Sequence, residues 1–358
     1  MRVHNFGAGP CTLPLAVLEE ARAEFLDFAG SGMSLTEMSH RSDAYAEVHT
    51  AALDRARRVA LLPDDFEVLL LQGGATLQFA MAPMNLLGPG ASAGYVVAGA
   101  WGSKALASAR KVGVAYSAWD GAESGYRRMP SPDEIRVDEG TRYLHVTTNE
   151  TIGGIRMVML PKPGTPLVAD MSSEYLVRPI DWSRYDLVYG GVQKNLGPSG
   201  LALVFVRRSA IGDGTNLPDY LDYRWHMASE SLGNTPAMFQ VYLMGKILTR
   251  IEERGGIETL ESEAEARASL LYGAIDESGG FYSSPVETAV RSLTNVVFRL
   301  PTPQLESAFL AEAERRHLVG LQGHRSVGGC RASLYAALDI ESVAALVEHM
   351  AAFQMGAG

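Results

Sequence analysis

The segment 68–103 contains no Asp, Glu, Lys or Arg, and no other feature of the chain constrains its fold as strongly. A membrane-spanning helix needs about 20 consecutive apolar residues. Here Gln72, Pro83 and several glycines interrupt the apolar run, so this segment is not expected to span a membrane. We expect instead a buried strand, a turn, a helix, a second turn and a second strand, in a protein that does not associate with membranes.

The composition narrows the function classes. The chain has 358 residues, 47% of them hydrophobic and 20% charged, which is enough apolar surface for a large core. Its 31 Lys and Arg are outnumbered by 41 Asp and Glu, and the formal net charge of −10 argues against binding to nucleic acid or to an anionic membrane. Cys11 and Cys330 stand far apart, and the first residues lack the apolar stretch of a signal peptide, so a cytoplasmic protein is expected. The eight His show no metal-ligand spacing, and no metal site is predicted.

Short apolar runs alternate with helical patterns from residue 66 to about residue 254. This alternation is typical of a mostly parallel sheet covered by helices, and the chain is expected to fold as an α/β protein. Ligands of such sheets bind at the carboxyl ends of the strands. The predicted strands are Glu67–Leu71, Gly94–Ala98, Val112–Tyr116, Tyr143–Thr147, Leu167–Ala169, Leu187–Tyr189 and Leu201–Arg207.

The C-terminal part of the chain is predicted to form a smaller domain. A long helix from Ala237 to Arg254 is expected to begin after an N-cap at Thr235, with Pro236 in its first turn, and to stop at Gly255. We therefore expect a large domain over residues 15–255. A small α+β domain is expected to consist of residues 256–358 together with residues 1–14. The predicted elements of the small domain are a charged helix (Glu258–Tyr272), a strand (Asn295–Arg299) and a final amphipathic helix (Ser342–Phe353).

Asp170 and Lys194 each follow a predicted apolar strand. A lysine in such a place is desolvated, which lowers its pKa and provides a neutral amine that can form a Schiff base. A carboxylate at the end of a neighbouring strand would keep the pyridine nitrogen of pyridoxal phosphate protonated. The alternative is a lysine that reaches the surface and an aspartate that forms a turn, and these two residues alone do not exclude it.

A second group of residues suits a phosphate. The segment 72–76 (Gln-Gly-Gly-Ala-Thr) separates the first strand from a helix, and small residues such as Ala75 let backbone N–H groups approach an anion, to which the Thr76 hydroxyl adds a donor. An ordinary strand-to-helix turn is the alternative. Trp101 follows the second strand, where an indole either stacks on a flat heterocycle or fills core space. No GxxxxGK[ST] or GxGxxG sequence occurs, so a nucleotide-binding loop is not predicted.

Two basic clusters suit a small anionic substrate. One is His40 and Arg41, and the other comprises His324, Arg325 and Arg331 in a glycine-rich segment. Guanidinium groups match the geometry of carboxylate and phosphate groups. Solvation at the surface is the alternative for either cluster.

Together these motifs resemble those of the phosphoserine aminotransferase family, whose members have the type I fold of pyridoxal-phosphate-dependent transferases. The resemblance runs nearly from end to end of the chain. The Gln-Lys-Asn and Gly-His-Arg segments are specific to that family, whereas the Asp and Lys pair is shared by all fold-type I enzymes. The matching segments are Phe6-Gly-Ala-Gly-Pro, Met38-Ser-His-Arg, Gln72-Gly-Gly-Ala-Thr-Leu-Gln-Phe, Asn149-Glu-Thr-Ile-Gly-Gly, Ala169-Asp-Met-Ser-Ser, Arg178-Pro-Ile-Asp, Gly191-Val-Gln-Lys-Asn-Leu-Gly-Pro-Ser-Gly, Asn234-Thr-Pro and Gly323-His-Arg-Ser-Val-Gly-Gly-Cys-Arg-Ala-Ser.

The resemblance implies a seven-stranded sheet, a homodimer with active sites at the subunit interface, and transfer of an amino group from L-glutamate to 3-phosphohydroxypyruvate. Lys194 would carry pyridoxal 5′-phosphate and move the α-proton of the substrate, with Asp170 at the ring nitrogen and Arg331 at the substrate α-carboxylate. The other implied cofactor contacts are Ala75, Thr76 and Gln193 at the phosphate, Trp101 and Thr151 at the ring, and Asn234 and Thr235 from the other subunit. The implied contacts to the distal phosphate or carboxylate of the substrate are His40, Arg41, His324 and Arg325.

Some positions depart from many members of that family. Ala75-Thr76 stand in place of Gly-Arg, Ala8 in place of a Ser that touches the co-substrate, and Cys330 in place of a Met. These changes bear on substrate preference and not on the cofactor. The sequence also does not decide whether 4-phosphohydroxythreonine of the pyridoxine pathway is a substrate, since it presents the same carboxylate and phosphate.

Three other functions stay open from the sequence. The first is another fold-type I enzyme, such as an alanine–glyoxylate-type aminotransferase or a cysteine desulfurase; the latter needs a nucleophilic Cys on a mobile loop, for which Cys330 is poorly placed. The second is a dinucleotide oxidoreductase, which the missing glycine fingerprint disfavours. The third is a non-catalytic binding protein that has kept the fold.

Overall fold

The computed structural model describes residues 2–212 and 216–357. The helices are α1 (Leu15–Glu24), α2 (Asp43–Val59), α3 (Gly74–Leu86), α4 (Ala100–Ala109), α5 (Tyr223–Ala228), α6 (Met238–Glu253), α7 (Gly256–Asp276), α8 (Pro303–Arg315) and α9 (Ile340–Ala357). The strands are β1 (His4–Asn5), β2 (Phe66–Gln72), β3 (Ser92–Val97), β4 (Val114–Asp120), β5 (Thr141–Thr147), β6 (Asn149–Glu150), β7 (Ile155–Arg156), β8 (Leu167–Asp170), β9 (Tyr185–Gly191), β10 (Leu201–Arg207), β11 (Asn295–Phe298), β12 (Leu318–Val319) and β13 (Cys330–Ser333). Within the described residues, no helix is both long and apolar enough to cross a membrane.

Seven strands form the central sheet, in the order β2-β10-β9-β8-β5-β3-β4. Strand β10 runs antiparallel to both of its neighbours, and all other adjacent pairs in this sheet are parallel. The prediction of seven strands in a mostly parallel sheet is therefore confirmed. The third predicted strand is displaced along the chain, because the N–H groups of Val112 and Gly113 donate to the carbonyl of Ala109 and so close the end of α4 before β4 begins.

The uncharged segment forms β2, α3 and β3, as predicted. Both faces of β2 are covered: Val68 and Leu70 pack into the core on one side of the sheet, and Leu69 and Leu71 into the core on the other. A charged side chain on either face would be desolvated without a partner, which explains the absence of charge from this part of the chain.

The start of helix α6 differs from the prediction. The helix begins at Met238, and Ala237, not Thr235, occupies the N-cap position, with no side-chain cap. The carbonyl of Thr235 accepts hydrogen bonds from the side chains of Gln72 and Asn234, so this segment is bound to the end of β2 before the helix starts. The predicted stop is correct, because Gly255 has φ = 102° and breaks the helix.

A third core cluster joins Phe6 to residues 268–353. Strand β1 pairs in parallel with β12, and β11 pairs antiparallel with β13. Helix α7 contributes Ile257 and Leu260 to the core beneath the central sheet and Leu271 to the third cluster, so it links the two cores. These contacts support the proposed small domain over 256–358 with residues 1–14, a division that stays a proposal.

Candidate active site

Asp170 and Lys194 lie at the carboxyl end of the sheet. Asp170 is the last residue of β8, and Lys194 follows β9, the adjacent parallel strand. Both line a pocket of about 280 Å³, together with Gln193 and Trp101. A Cβ atom on Gly9 would lie 3.1 Å from Cγ of Lys194, so the N-terminal segment passes close over the lysine. The topology thus brings these predicted residues together at the expected edge of the sheet.

The amine of Lys194 is perturbed by its surroundings. Its Nζ donates a hydrogen bond to Oγ1 of Thr151 at 2.7 Å. Burial lowers the pKa of Lys194 to about 8, against the opposing effects of the carboxylates of Asp170 and Glu150, while Arg331 lowers it further. A lysine of this pKa supplies a neutral, nucleophilic amine near neutral pH.

The carboxylate of Asp170 is fixed through one of its oxygens. Oδ1 accepts hydrogen bonds from the backbone N–H and the hydroxyl of Ser172, at 2.9 Å and 2.6 Å. The hydroxyl of Ser172 also accepts from the N–H of Gly191 in β9, which ties the carboxylate to the adjacent strand. Burial raises the pKa of Asp170, and Lys194 and Ser172 oppose that rise. No described residue donates to Oδ2, which leaves this oxygen for a cationic partner in the pocket.

The N-terminus of α3 faces the same pocket. Gly73 adopts φ = 92°, and a Cβ atom there would lie 2.7 Å from Cδ2 of Leu77, so this turn requires glycine. The first turn presents the N–H groups of Gly74, Ala75 and Thr76, and it carries no acidic side chain. Free N–H groups and the positive end of the helix dipole make this turn suitable for a phosphate.

The N-terminus of α4 is already occupied by a protein carboxylate, that of Glu150. Oε1 accepts from the backbone N–H of Gly102 at 2.8 Å, and Oε2 from that of Trp101 at 3.1 Å. Glu150 is fully buried, and burial raises its pKa to about 7 against these two hydrogen bonds. Sequence reasoning did not identify this residue. The sequence did contain a signal for it. Gly99, the N-cap residue of α4, and Ala100, its first residue, have no side chain that could cap the helix, so a distant residue had to supply the cap.

Trp101 lies in the first turn of α4 and lines the pocket of Lys194. Its ring is 5.6 Å from Nζ of Lys194 and 4.3 Å from Nζ of Lys104, measured to a ring centroid. Its indole Nε1 is buried and has no hydrogen-bond partner among the described residues. A flat aromatic face beside Lys194 suits a planar heterocycle bound to that lysine.

A second cavity, of about 640 Å³, is connected to Lys194 through Thr151, which is hydrogen-bonded both to Lys194 and to Arg331 on the wall of that cavity. It is lined by Arg331 and His324, and Nη1 of Arg331 donates to the carbonyl of Thr151 at 3.4 Å. Sequence reasoning missed two further cations on its wall, Arg127 and Arg299. Arg299 is bound to the carboxylate of Glu306 at 2.6 Å and is therefore committed to the protein itself. None of the described residues that line this cavity is Asp or Glu, so the cavity is suited to an anion.

The surroundings of His324 favour its neutral form. Its Nδ1 accepts from the backbone N–H of Ser326 at 3.2 Å and lies 2.7 Å from that residue's hydroxyl. Desolvation lowers its pKa, and Arg331, Arg325 and Lys104 lower it further. An added anion would offset these cations and favour the imidazolium form.

Six predicted site residues do not line either cavity within the described chain: His40, Arg41, Thr151, Asn234, Thr235 and Arg325. Of these, Thr151 still contacts the site, through its hydrogen bond with Lys194. Arg41, Thr235 and Arg325 are exposed. The side chain of Asn234 donates to Oε1 of Gln72 at 2.8 Å, at the end of β2. A single copy of the chain thus brings Lys194, Asp170 and Arg331 to the walls of the two cavities, and it leaves His40, Arg41, Asn234, Thr235 and Arg325 outside them.

Comparison with known proteins assigns the family. The model of the aminotransferase class-V family matches residues 3–346. The chain belongs to this family. Its relatives include the phosphoserine aminotransferase of Geobacillus kaustophilus (strain HTA426), 48% identical over 99% of this chain and 98% of the relative. The phosphoserine aminotransferase of Niallia circulans is 46% identical over 100% of this chain and 99% of the relative.

Solved structures of class-V aminotransferases agree with this assignment. A phosphoserine aminotransferase from Bacillus circulans subsp. alkalophilus matches with a TM-score of 0.97 and 46% identity, covering 100% of this chain and 99% of that one. A PLP-bound phosphoserine aminotransferase from Trichomonas vaginalis matches with a TM-score of 0.93 and 33% identity, covering 98% and 100%. The predicted fold-type I architecture is confirmed, and the chain is a pyridoxal-phosphate-dependent transaminase. This result excludes a dinucleotide oxidoreductase.

Proposed function

We propose that this transaminase moves the amino group of L-glutamate to 3-phosphohydroxypyruvate, giving O-phospho-L-serine and 2-oxoglutarate, and so acts in serine biosynthesis. The names of relatives that are 43–48% identical over nearly the whole chain support this substrate pair. The observation that carries the proposal is the connection from Lys194 to Arg331 through Thr151. It places an amine of lowered pKa beside a cavity rich in cations.

The pocket beside Lys194 fits pyridoxal phosphate on three counts. The N-terminus of α3 offers N–H groups for a phosphate, Oδ2 of Asp170 is free for a protonated ring nitrogen, and the indole of Trp101 offers a flat face. Gln193 lines the same pocket, and Thr151 is within hydrogen-bond distance of Lys194. When bound there, the cofactor supplies an electron sink that stabilises negative charge at the substrate α-carbon.

Lys194 moves the proton in this scheme. With a pKa of about 8, an appreciable part of its Nζ is neutral near neutral pH and can accept the α-proton. As a general acid, the same nitrogen would then donate that proton to C4′ of the cofactor and not back to the α-carbon, as transamination requires. The hydroxyl of Thr151 fixes the direction of Nζ, and the ionised Asp170 nearby balances the positive charge that Lys194 gains.

The larger cavity binds the substrate in this proposal. Arg331 takes the α-carboxylate, since its guanidinium faces the cavity wall next to Thr151. The distal phosphate of phosphoserine, or the distal carboxylate of glutamate, then meets His324, which lines this cavity, whereas Arg325 is exposed and does not line it in this copy of the chain. With no acidic residue among the described lining residues, the cavity has no group that repels either anion.

We also propose that the enzyme is a cytoplasmic homodimer. His40, Arg41, Asn234 and Thr235 lie outside both cavities of their own chain, so a second copy is the source of these contacts in the proposal. His40 supports this interpretation, because its Nε2 is buried without a hydrogen-bond partner. Two free cysteines are compatible with a reducing compartment.

A cysteine desulfurase is the alternative with the closest chemistry, and the thiols disfavour it. Cys330 is buried, and desolvation, with a smaller effect of Glu306, raises the pKa of its thiol to about 12. Burial likewise raises the pKa of Cys11 to about 12, and its thiol donates to the carbonyl of Lys194. Neither side chain supplies the thiolate that the desulfurase reaction needs.

The test is a steady-state assay of the cofactor-saturated enzyme with glutamate and each acceptor in turn. We expect 3-phosphohydroxypyruvate to give the highest kcat/KM, with glyoxylate far slower and no sulfide released from cysteine. The keto acid that corresponds to 4-phosphohydroxythreonine serves as a second phosphorylated acceptor. A kcat/KM for glyoxylate equal to or above that for 3-phosphohydroxypyruvate would overturn the proposal.

A further inference from the structure

A third cavity, of about 440 Å³, lies away from the active site. It is enclosed by α6, α7, the start of α9 and the residue that follows Lys194, and it shares no lining residue with the two cavities described above. Four of its lining residues each have a buried side-chain N or O atom without a hydrogen-bond partner among the described residues: Asn195, Arg250, Glu263 and Arg267.

Arg267 is the most unusual of these residues. It is 4% exposed, yet its Nε has no hydrogen-bond partner among the described residues. The nearest carboxylate oxygen, Oε2 of Glu263, is 3.7 Å from Nη1, which is longer than a hydrogen bond. The other oxygen of Glu263 is bound to Arg254. Buried guanidinium groups are normally paired and hydrogen-bonded, because an unsatisfied buried charge is strongly destabilising.

Two further donors on the wall of this cavity are left without acceptors. Nδ2 of Asn195 is unpartnered although the residue is 5% exposed, while its Oδ1 accepts from the N–H of Ala336 at 3.2 Å. Nε of Arg250 is also buried without a partner, although its Nη2 donates to Glu20. Among the described lining residues, the one buried acceptor without a hydrogen-bond partner is Oε2 of Glu263, which forms the ion pair with Arg267. The three unsatisfied donors outnumber it, which indicates that a further acceptor belongs in this cavity.

Arg331, on the wall of the larger cavity, has the same feature as Arg267: a buried Nε without a hydrogen-bond partner among the described residues. The guanidinium of Arg331 makes one hydrogen bond with a described residue, at 3.4 Å. Arg331 is the residue assigned to a substrate carboxylate. Arg267 is more deeply buried than Arg331 and has no hydrogen bond of this kind.

The rest of the wall defines the chemical class of the ligand. Ile247, Ile251 and Leu260 form an apolar side. Asp339 and Glu341, at the start of α9, disfavour a multiply charged anion. We propose that this cavity is a second ligand site, which binds a small aliphatic carboxylate with its carboxylate group at Arg267 and Asn195 and its hydrocarbon part against the apolar side. An α-amino acid shares this chemistry and would direct its ammonium group to Asp339 and Glu341.

The test measures binding of 3-methylbutanoate to the holoenzyme by saturation-transfer NMR. An Arg331→Met background removes the carboxylate clamp of the active site, so that binding there does not contribute. We expect saturable binding in this background. Adding Arg267→Met should weaken that binding about 10-fold or more, because a charge-assisted contact is lost. L-valine, which differs by the ammonium group, tests the two carboxylates at α9, and inorganic phosphate should bind more weakly than either.

A second variant covers the case in which Arg267→Met does not fold. Ala266 lines the cavity at an exposed position of α7, and Ala266→Trp places a large side chain there while Arg267 itself is kept. It should weaken binding of 3-methylbutanoate as Arg267→Met does. Loss of all binding with Arg331→Met alone, or binding unchanged by both Arg267→Met and Ala266→Trp, would overturn the proposal and leave ordered water as the occupant.

Discussion

The contact between Glu150 and helix α4 is so tight that one added methyl group tests it. A Cβ atom on Gly99 would lie 2.5 Å from Cδ and 2.7 Å from Oε2 of Glu150, distances that real Cβ atoms essentially never show. The backbone of Gly99 has φ = 173°, which any residue adopts, so Gly99→Ala changes packing and not backbone strain. The methyl group must displace the carboxylate that holds the N–H groups of Trp101 and Gly102.

The expected loss combines overpacking with a weakened hydrogen bond to a charged group. Overpacking a dense core costs about 1–3 kcal/mol, and a hydrogen bond to a charged group contributes about 1.5–3 kcal/mol. We therefore expect Gly99→Ala to lower the free energy of unfolding by about 2–4 kcal/mol. Because the start of α4 carries Trp101, the circular dichroism of the bound cofactor should change as well.

Denaturant unfolding of the holoenzyme measures the first effect, and visible circular dichroism the second. The matched control is Gly88→Ala, since a Cβ atom there meets nothing within 4 Å. In a Glu150→Ala background, Gly99→Ala should cost little, because its steric partner is gone. If Gly99→Ala is as stable as Gly88→Ala, or is equally harmful without the Glu150 side chain, the contact does not have the role given to it here.

The remaining predictions concern the amine, the clamp and the pH dependence. Lys194→Arg keeps a positive charge but has no neutral amine at accessible pH, so single-turnover transamination should be lost; normal turnover in this variant would contradict the assigned role. Arg331→Ala and His324→Ala should raise KM, while spectrophotometric titrations should show that the cofactor still binds. Loss of cofactor binding instead would mean that the larger cavity holds the cofactor and not the substrate. In the cofactor-free protein, the pKa of Lys194 of about 8 lies below its unfolded value, so Lys194 destabilises the fold fully below pH 8. This penalty is relieved between about pH 8 and the ordinary lysine pKa of 10.5, and the rate of cofactor uptake should rise through pH 8; a rate that is flat from pH 7 to 9 would show that the amine is unperturbed.

Local patterns were sufficient to predict the sheet and the residues at its carboxyl edge. The strands β2 and β8 are apolar on both faces because helices cover them, and that pattern is visible in the sequence itself. Asp170 and Lys194 follow such strands, so parallel pairing alone brings them together.

Contacts between distant segments were not predictable in this way. Glu150 reaches the start of α4 from a strand 48 positions further along the chain, and a single acidic residue after a strand does not reveal whether it is buried. Thr235 looked like a helix cap because its side chain suits that role, but its carbonyl is held by Gln72 and the helix starts later. In both cases the structure depends on a tertiary hydrogen bond, which the local residue pattern does not reveal.

In the proposed function, the amine of Lys194 binds the cofactor covalently and transfers the α-proton of the substrate. Borohydride reduction of the yellow holoenzyme converts the carbon–nitrogen double bond to the cofactor into a stable single bond, and mass spectrometry of the digested protein then locates it. The label is expected on the peptide that contains Lys194 and on no other. A label on Lys104, the other lysine beside the indole of Trp101, would contradict it.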